Sequence, residues 1–195
     1  MKIWNKMIQL ITNIEKFANA KTESVGENVK FIAVVSVVLA IISAIEMLGL
    51  TQAPLTGLPL TAIRNAFAAP VAAIIAFVAV IIGSVLLLLL SSAALHIFAV
   101  LLGAKKKFSD TVPAMVAFMA PNLLLGWIPF VNIWTSIYTF LIIVYVLAIK
   151  QRMTMAKATT AIALPIIIGT AIAAAFGLMG SAGGMIQTLV PVHSS

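Results

Sequence analysis

Cysteine is absent from this chain, and histidine occurs only twice. The absence of cysteine excludes disulfides and thiolate metal sites. Two histidines, one of them in the tail, offer no metal-ligand spacing, and the glycine-rich "GLMGSAGG" stretch lacks the lysine of a phosphate-binding loop. The sequence therefore predicts a protein that is not an enzyme and that holds no metal and no cofactor.

Charged side chains are also scarce. They make up 9% of the chain against 63% hydrophobic residues, whereas a soluble domain is about a quarter charged. No Lys, Arg, Asp or Glu occurs from Asn65 to Ala104, a run about twice as long as one membrane crossing needs. The sequence pI near 10.0 does not indicate nucleic acid, because the basic residues are scattered among apolar runs and form no basic stripe. The composition predicts a polytopic membrane protein.

Five apolar segments fit membrane-spanning helices, so the predicted fold is an all-α transmembrane bundle. The segments cover residues 31–50, 67–102, 111–130, 133–149 and 159–179. The second is too long for one upright crossing and too short for two, so we expect one long helix, either tilted or bent near Ser91 and Ser92, whose end lies in the headgroup zone. The third and fourth should form a helical hairpin around the "IPFVN" turn. The predicted organisation is thus a cytoplasmic segment 1–29, a transmembrane domain 30–179 and a short outer tail 180–195.

The placement of lysine and arginine predicts the orientation of this bundle. Eleven of the twelve basic residues fall on the side that holds the amino terminus, and only Arg64 falls on the other. Since the loops near spans are enriched in these residues on the cytoplasmic side, we expect the amino terminus in the cytoplasm and the carboxyl terminus across the membrane. The Lys105–Lys107 triplet then anchors the cytoplasmic end of the second span.

Residues 1–18 show the pattern of an amphipathic helix, with apolar residues on one half and lysines on the other. Trp4 belongs to the apolar half. Such a helix can lie flat on the inner leaflet as an interfacial helix, or it can dock its apolar face on the bundle. The sequence leaves both arrangements open, and they are compatible.

Ionisable residues within spans mark candidate functional positions. We expect Glu46, near the outer end of the first span, to pair with Arg64, and the alternative is a proton or cation site. His96 follows Ser92 by one helical turn, but no orienting acid or oxyanion loop accompanies the two, so nucleophilic catalysis is not predicted.

Prolines and small residues within the spans predict helix bends and close packing. Pro121 and Pro165 should bend their helices or free backbone carbonyls, and Asn122 is placed to satisfy one of these. Small residues at four-residue spacing let helices approach closely, either inside the monomer or against a second protein. They are Ser36, Ala40 and Ala44 in the first span and Gly169, Ala173 and Gly177 in the fifth.

The stretches "LHIFAVLLGAKKKFSDTVPAMVAFMAP", "IW" and "LAIKQRMTMAKATTAIALP", within residues 69–175, resemble the Yip1 family. The resemblance rests on the order of His96, Gly103, Lys107, Phe108, Pro121, Trp134, Lys157, Ala158 and Pro165. Phe118 stands where the family commonly has Tyr. The resemblance implies five spans, a cytoplasmic amino terminus and a short outer carboxyl terminus.

Eukaryotic members of that family act in vesicle traffic between the endoplasmic reticulum and the Golgi and bind Rab-type small GTPases. The amino-terminal region here is short, as in archaeal and bacterial members, so small-GTPase binding is not carried over. A prokaryotic plasma membrane is the expected location.

The sequence as a whole favours a non-enzymatic scaffold or adaptor that organises the membrane. Its expected partners are anionic lipid headgroups, and after them another membrane protein or a second copy. The candidate binding residues are Lys105, Lys106, Lys107, Lys150, Arg152, Lys157 and Trp4. The alternative is a small transporter or channel that uses Glu46, His96 and Asn122, and it predicts a hydrated cavity reaching mid-membrane.

Overall fold

The computed structural model describes residues 3–49, 63, 65 and 67–189, with side chains as far as residue 172 and at 174. Seven helices have their bounds in this part of the chain, and it contains no strand. They are α1 (Ile3–Thr12), α2 (Ile14–Asn19), α3 (Val25–Met47), α4 (Ala69–Leu101), α5 (Phe108–Leu125), α6 (Val131–Gln151) and α7 (Met155–Leu189). Helices α3 to α6 and the first half of α7 are long and apolar enough to cross a membrane. The predicted all-α bundle of five spans is confirmed.

Helix α3 begins six residues before the predicted span. Ser24 caps it: the Ser24 hydroxyl accepts from the Glu27 N–H, and the Glu27 carboxylate accepts from the Ser24 N–H at 3.1 Å. This reciprocal capping box satisfies two amide donors that a helix start leaves unpaired. Apolarity alone misses the first turns because they are polar, with Asn28 and Lys30 among them.

Helix α4 is one continuous helix of 33 residues, as predicted, and runs unbroken through Ser91 and Ser92. Its length of about 50 Å exceeds the hydrocarbon thickness of about 30 Å. It ends where the Ala104 N–H donates to the Ala99 carbonyl at 2.9 Å. That closure needs Gly103 at φ 92°, a conformation that glycine adopts without steric penalty.

Helices α5 and α6 form the predicted hairpin, and α5 is the most buried span. Eleven of its eighteen residues are buried, because α3, α4 and α6 all pack against it. The link 126–130 ends at Phe130 with φ 66°, and α6 ends at Arg152 with φ 52°. A side chain in this left-handed region costs about 1 kcal/mol or more, so each of these turns carries a backbone conformation that glycine would adopt at less cost.

The small residues of α3 pack inside the bundle. Ser36 and Ala40 are fully buried. The stripe in α7 differs, since Gly169 is exposed and a Cβ there would meet nothing within 4 Å. The side chain of Ala173 and the surroundings of Gly177 lie outside the description, so close packing along this stripe stays a prediction.

Among the residues of α7 whose side chains are described, those of the first turns pack on the bundle. Ala158, Ala161 and Ile162 are buried, whereas all seven residues from Ile166 to Ile172 are exposed. A helix lying along a bundle buries one face. No face of this segment therefore packs on the rest of the described chain, and the change occurs at Pro165.

Candidate functional site

One end of the bundle carries almost all of the charge in the described part of the chain. The start of α3, the end of α4, the start of α5, the end of α6 and the start of α7 meet there. We call it the basic end. With α1 and α2 beside it, it carries the carboxylates Glu15, Glu23, Glu27 and Asp110 and the cations Lys6, Lys16, Lys21, Lys30, Lys105, Lys106, Lys107, Lys150, Arg152 and Lys157. Lys2 and Arg64 lie outside the described residues.

The loop 102–107 is tied to the end of α6 by the fully buried Gln151. The Gln151 Oε1 accepts from the Lys106 N–H at 3.3 Å, and its Nε2 donates to the Lys107 carbonyl at 3.3 Å. The same Nε2 donates to the Thr111 Oγ1 at 2.7 Å. One amide thus joins the loop, the start of α5 and the end of α6.

His96 continues this polar network on the α4 side. Its Nδ1 lies 2.8 Å from the Thr111 Oγ1, and its ring meets Phe108 edge-on at 5.7 Å between centroids. The Thr111 hydroxyl therefore contacts both Gln151 and His96 and joins α4 to the network. Ser92 Oγ is buried without a hydrogen-bond partner among the described residues, so His96 and Ser92 form no dyad.

The predicted cations of this end differ in exposure. Lys105, Lys107, Arg152 and Lys157 are exposed, and Lys106 is half-buried. Lys150 is turned inward, with 9% of its surface exposed, and its ammonium donates to the Ala20 carbonyl. Lys157 Nζ lies 3.5 Å from the point where a Cβ would stand if Gly103 carried one. Helix α7 therefore places this cation against the loop 102–107, which we call the lysine loop.

Helix α1 packs on the bundle through its lysine side as well as its apolar side. Lys6 is 3% exposed; it pairs with Glu23, donates to the Asn28 Oδ1 at 2.7 Å and lies 4.8 Å from the centre of the Phe31 ring. Leu10, one turn on, is also buried. The sequence pattern puts Lys6 on the polar half of this helix, and the structure buries that residue against the bundle. Glu23 and Asn28 supply the partners that make its burial tolerable.

The opposite side of α1 is apolar and exposed. Trp4 is 66% exposed, and Ile8 and Ile11 are exposed beside it. The Tyr138 hydroxyl of α6 donates to the Leu10 carbonyl at 3.1 Å and so holds this helix against the spans. Docking is therefore present, while contact of Trp4 with a lipid leaflet stays a prediction.

A polar pocket of about 370 Å³ lies between α1, the 20–24 segment and the spans. Its lining includes Lys6, Lys21, Glu23, Glu27 and Lys150. Burial lowers the pKa of Lys6, although Glu23 and Glu27 act in the other direction. Burial also raises the pKa of Glu23, but the hydrogen bond and charge of Lys6 outweigh this, so the pKa lies below its ordinary value of 4.5.

We expect acid to loosen α1 from the bundle. A carboxylate whose pKa is depressed by folding contributes stability above its unfolded pKa, and that stability is lost as the pH falls through the folded pKa. The docking of α1 should therefore be intact at neutral pH and weaken below about pH 4.5. Hydrogen exchange of the α1 amides, corrected for the intrinsic pH dependence of exchange, followed from pH 7 to pH 3 and compared with a Glu23→Gln variant, measures it. A pH dependence that is identical in the variant would show that Glu23 is not the titrating group.

The remaining candidate polar residues do not join this network. Glu46 is buried at the far end of α3, and Arg64 lies outside the described residues, so their predicted pairing stays a prediction. Asn122 Nδ2 donates to the Phe118 carbonyl at 2.7 Å and to the Thr139 Oγ1 at 3.1 Å. The carbonyl that it reaches is that of Phe118, whereas Pro121 withholds its amide donor from the carbonyl of Ala117; the bond to Thr139 ties α5 to α6.

Sequence patterns alone hardly distinguish the residues that build the basic end from other polar residues. Thr22 donates to the Asp110 Oδ1 at 2.6 Å, across 88 positions of sequence. Gln151 and Thr111 are uncharged polar residues at span ends, where such residues are common. Only their position beside Lys150 and Asp110 sets them apart.

No family model, no curated protein and no solved structure matches this chain. The resemblance to the Yip1 family therefore stays a prediction, based on the residues quoted above.

Proposed function

We propose that this membrane protein is a scaffold of Yip1 type that gathers anionic lipid headgroups at its basic end. The observation that carries the proposal is the immobilised lysine loop. Gln151 holds its backbone, while the Lys105 and Lys107 side chains are left exposed. A loop that is already ordered loses less entropy when a headgroup binds to it.

The exposed cations have the number and placement that a headgroup surface requires. Lys105, Lys107, Arg152 and Lys157 are exposed at one end of the spans, and each basic residue near an anionic leaflet contributes about 1 kcal/mol. Arg152 also occupies a left-handed turn where glycine would be less strained. Its presence there keeps one more cation at this surface. In the proposed orientation the basic end faces the cytoplasmic leaflet, whose lipids are anionic.

The packing of the interior favours a scaffold over a transporter. A transport path needs polar groups that line a hydrated cavity across the membrane. Within the described spans, α5 buries its own side chains against the neighbouring helices, among them Val112, Val116 and Ala120. His96 and Asn122 each bond to a neighbouring threonine. The pocket at mid-span depth is lined almost wholly by apolar residues.

Replacing Lys105, Lys106 and Lys107 together by Gln tests this function. Two of the three side chains are exposed, so we expect the retention of anionic lipid to weaken by about 2 kcal/mol, or about thirty-fold. The measurement is native mass spectrometry of detergent-purified protein, titrated with phosphatidylglycerol and, in parallel, with phosphatidylcholine. Only the retention of the anionic lipid should change.

The matched control replaces the same three lysines by Arg, which keeps the charge and should keep the lipid. If the Gln variant retains phosphatidylglycerol as well as the parent protein does, the proposed headgroup surface is wrong. If the Arg variant loses lipid as the Gln variant does, the effect comes from damage to the loop and the charge argument fails.

A further inference from the structure

The seam between α4 and α7 holds a second pocket, on a different side of α5 from the polar one. Its volume is about 310 Å³, within the range of small-ligand sites. All four of the later spans contribute to it: Ser91, Ala94 and Leu95 from α4, Met115 and Phe118 from α5, Phe140 and Ile143 from α6, and Ile162, Pro165 and Ile166 from α7. Its only polar side chain is that of Ser91, so the site suits a hydrocarbon.

The pocket opens sideways, toward the membrane. Its rim residues Ala94, Phe140 and Ile166 are exposed, whereas Leu95 and Ile162 at its base are buried. Pro165 lies at its edge, at the point where α7 ceases to pack on the bundle. The opening therefore arises from the divergence of α7.

The depth of the pocket matches one lipid leaflet. Ile162 and Ile166 follow Lys157 by five and nine residues, which correspond to about 8 and 14 Å along the helix. One leaflet contributes about 15 Å of hydrocarbon. The pocket thus lies at the depth of the acyl chains of the leaflet that faces the basic end.

Cations lie on the same seam, above the pocket. Lys157 Nζ is next to Gly103, where the end of α4 meets the start of α7, and Lys105 follows in the exposed loop. The seam therefore presents positive charge at the depth of the lipid headgroups and the apolar pocket at the depth of the acyl chains. A transmembrane helix of a partner is about 10 Å across and would not enter a hollow of this volume, whereas one acyl chain would.

We propose that the α4–α7 seam binds one anionic phospholipid, with an acyl chain in the pocket and the phosphate at Lys157. The headgroup half of this inference rests on the proposed function, whereas the acyl-chain half stands on the pocket alone. The acyl chain would fill the opening that the divergence of α7 leaves at Pro165.

The test uses the whole protein in vesicles containing a phospholipid with a photoactivatable diazirine midway along one chain. We expect peptides from the pocket, around Phe118 and Ile162, to be labelled above the level of the surrounding helix faces. Ala94→Phe fills the pocket, and because several buried CH₂ groups are displaced at about 0.8 kcal/mol each, we expect this labelling to fall about ten-fold or more. Ala93→Phe adds the same ring on the next residue, which is exposed and does not line the pocket, and should leave it unchanged.

A separate variant tests the placement of the headgroup at Lys157. Lys157→Gln should lower pocket labelling by a phosphatidylglycerol probe and leave labelling by a phosphatidylcholine probe unchanged. Equal labelling of the pocket and of the Ala93 face, or labelling that Ala94→Phe does not reduce, would overturn the acyl-chain site. Disulfide crosslinking of two copies that carry Ile166→Cys, in this chain without other cysteines, would overturn it in favour of a second copy. A Lys157→Gln protein labelled like the parent by the anionic probe overturns the headgroup placement alone, whatever the lysine-loop variants show.

Discussion

Replacing Glu23 by Gln is expected to release α1 from the bundle. Lys6 is 3% exposed, and Glu23 is its charged partner. Removing one member of a buried ion pair leaves the other charge buried without compensation, at a cost of about 3 kcal/mol or more. Asn28 and the Phe31 ring remain in contact with Lys6, so we expect the lower end of that range.

Hydrogen exchange of the α1 amides measures this release. A loss of about 3 kcal/mol in the local opening free energy corresponds to exchange that is about a hundred-fold faster. The effect should be confined to residues 3–20, because the spans keep their own packing. Glu27→Gln is the matched control: Glu27 lines the same pocket, and Gln serves equally well in the capping box with Ser24. Equal protection of α1 in the two variants would contradict the role assigned to the Lys6–Glu23 pair.

Replacing Gln151 by Leu should free the lysine loop and weaken the bundle. The substitution keeps the size of the side chain but removes its hydrogen bonds to Lys106, Lys107 and Thr111. A buried polar group left unpaired costs about 1–3 kcal/mol, and with backbone and hydroxyl partners both affected we expect about 3 kcal/mol. For a chain of this size that lowers the midpoint of thermal unfolding by about 6–12 °C.

Two readouts separate the loop from the fold. Thermal unfolding in detergent reports the loss of stability, and exchange of the 103–107 amides reports the loosening of the loop. Asn132→Leu, at the exposed start of the same helix, is the control, since within the described residues the Asn132 side chain bonds only to the Ser136 hydroxyl. If the Gln151 and Asn132 variants unfold at the same temperature, Gln151 does not hold the basic end together. Retention of anionic lipid should fall with Gln151→Leu, because the exposed lysines lose their fixed position.

The five spans follow from local sequence, whereas the basic end does not. A run of about 20 apolar residues predicts a crossing wherever it occurs, and the continuous α4 and the α5–α6 hairpin were predicted on that basis. The bonds of the basic end join residues far apart in the chain, such as Thr22 with Asp110 or Lys106 with Gln151. Their pairing depends on how the spans pack, which the pattern of one segment does not contain.

The inward turn of Lys6 illustrates the same limit. A helical wheel of residues 1–18 places its lysines on the polar half, and nothing in that segment indicates that one of them is buried. Burial of Lys6 is stabilised by Glu23, in the following loop, and by Asn28, in the first turns of α3. A similar dependence holds for the divergence of α7, since Pro165 predicts a bend but not the loss of packing beyond it.

The burial of α5 bears on how the chain enters the bilayer during synthesis. This helix is the least hydropathic and the most enclosed of the five spans, and it carries Pro113, Pro121 and Asn122. Alone in lipid it would lose the bond from Asn122 to Thr139 on the next helix and keep only the bond to Phe118 on its own. We therefore expect α5 to insert more efficiently when α6 follows it than when it is synthesised alone.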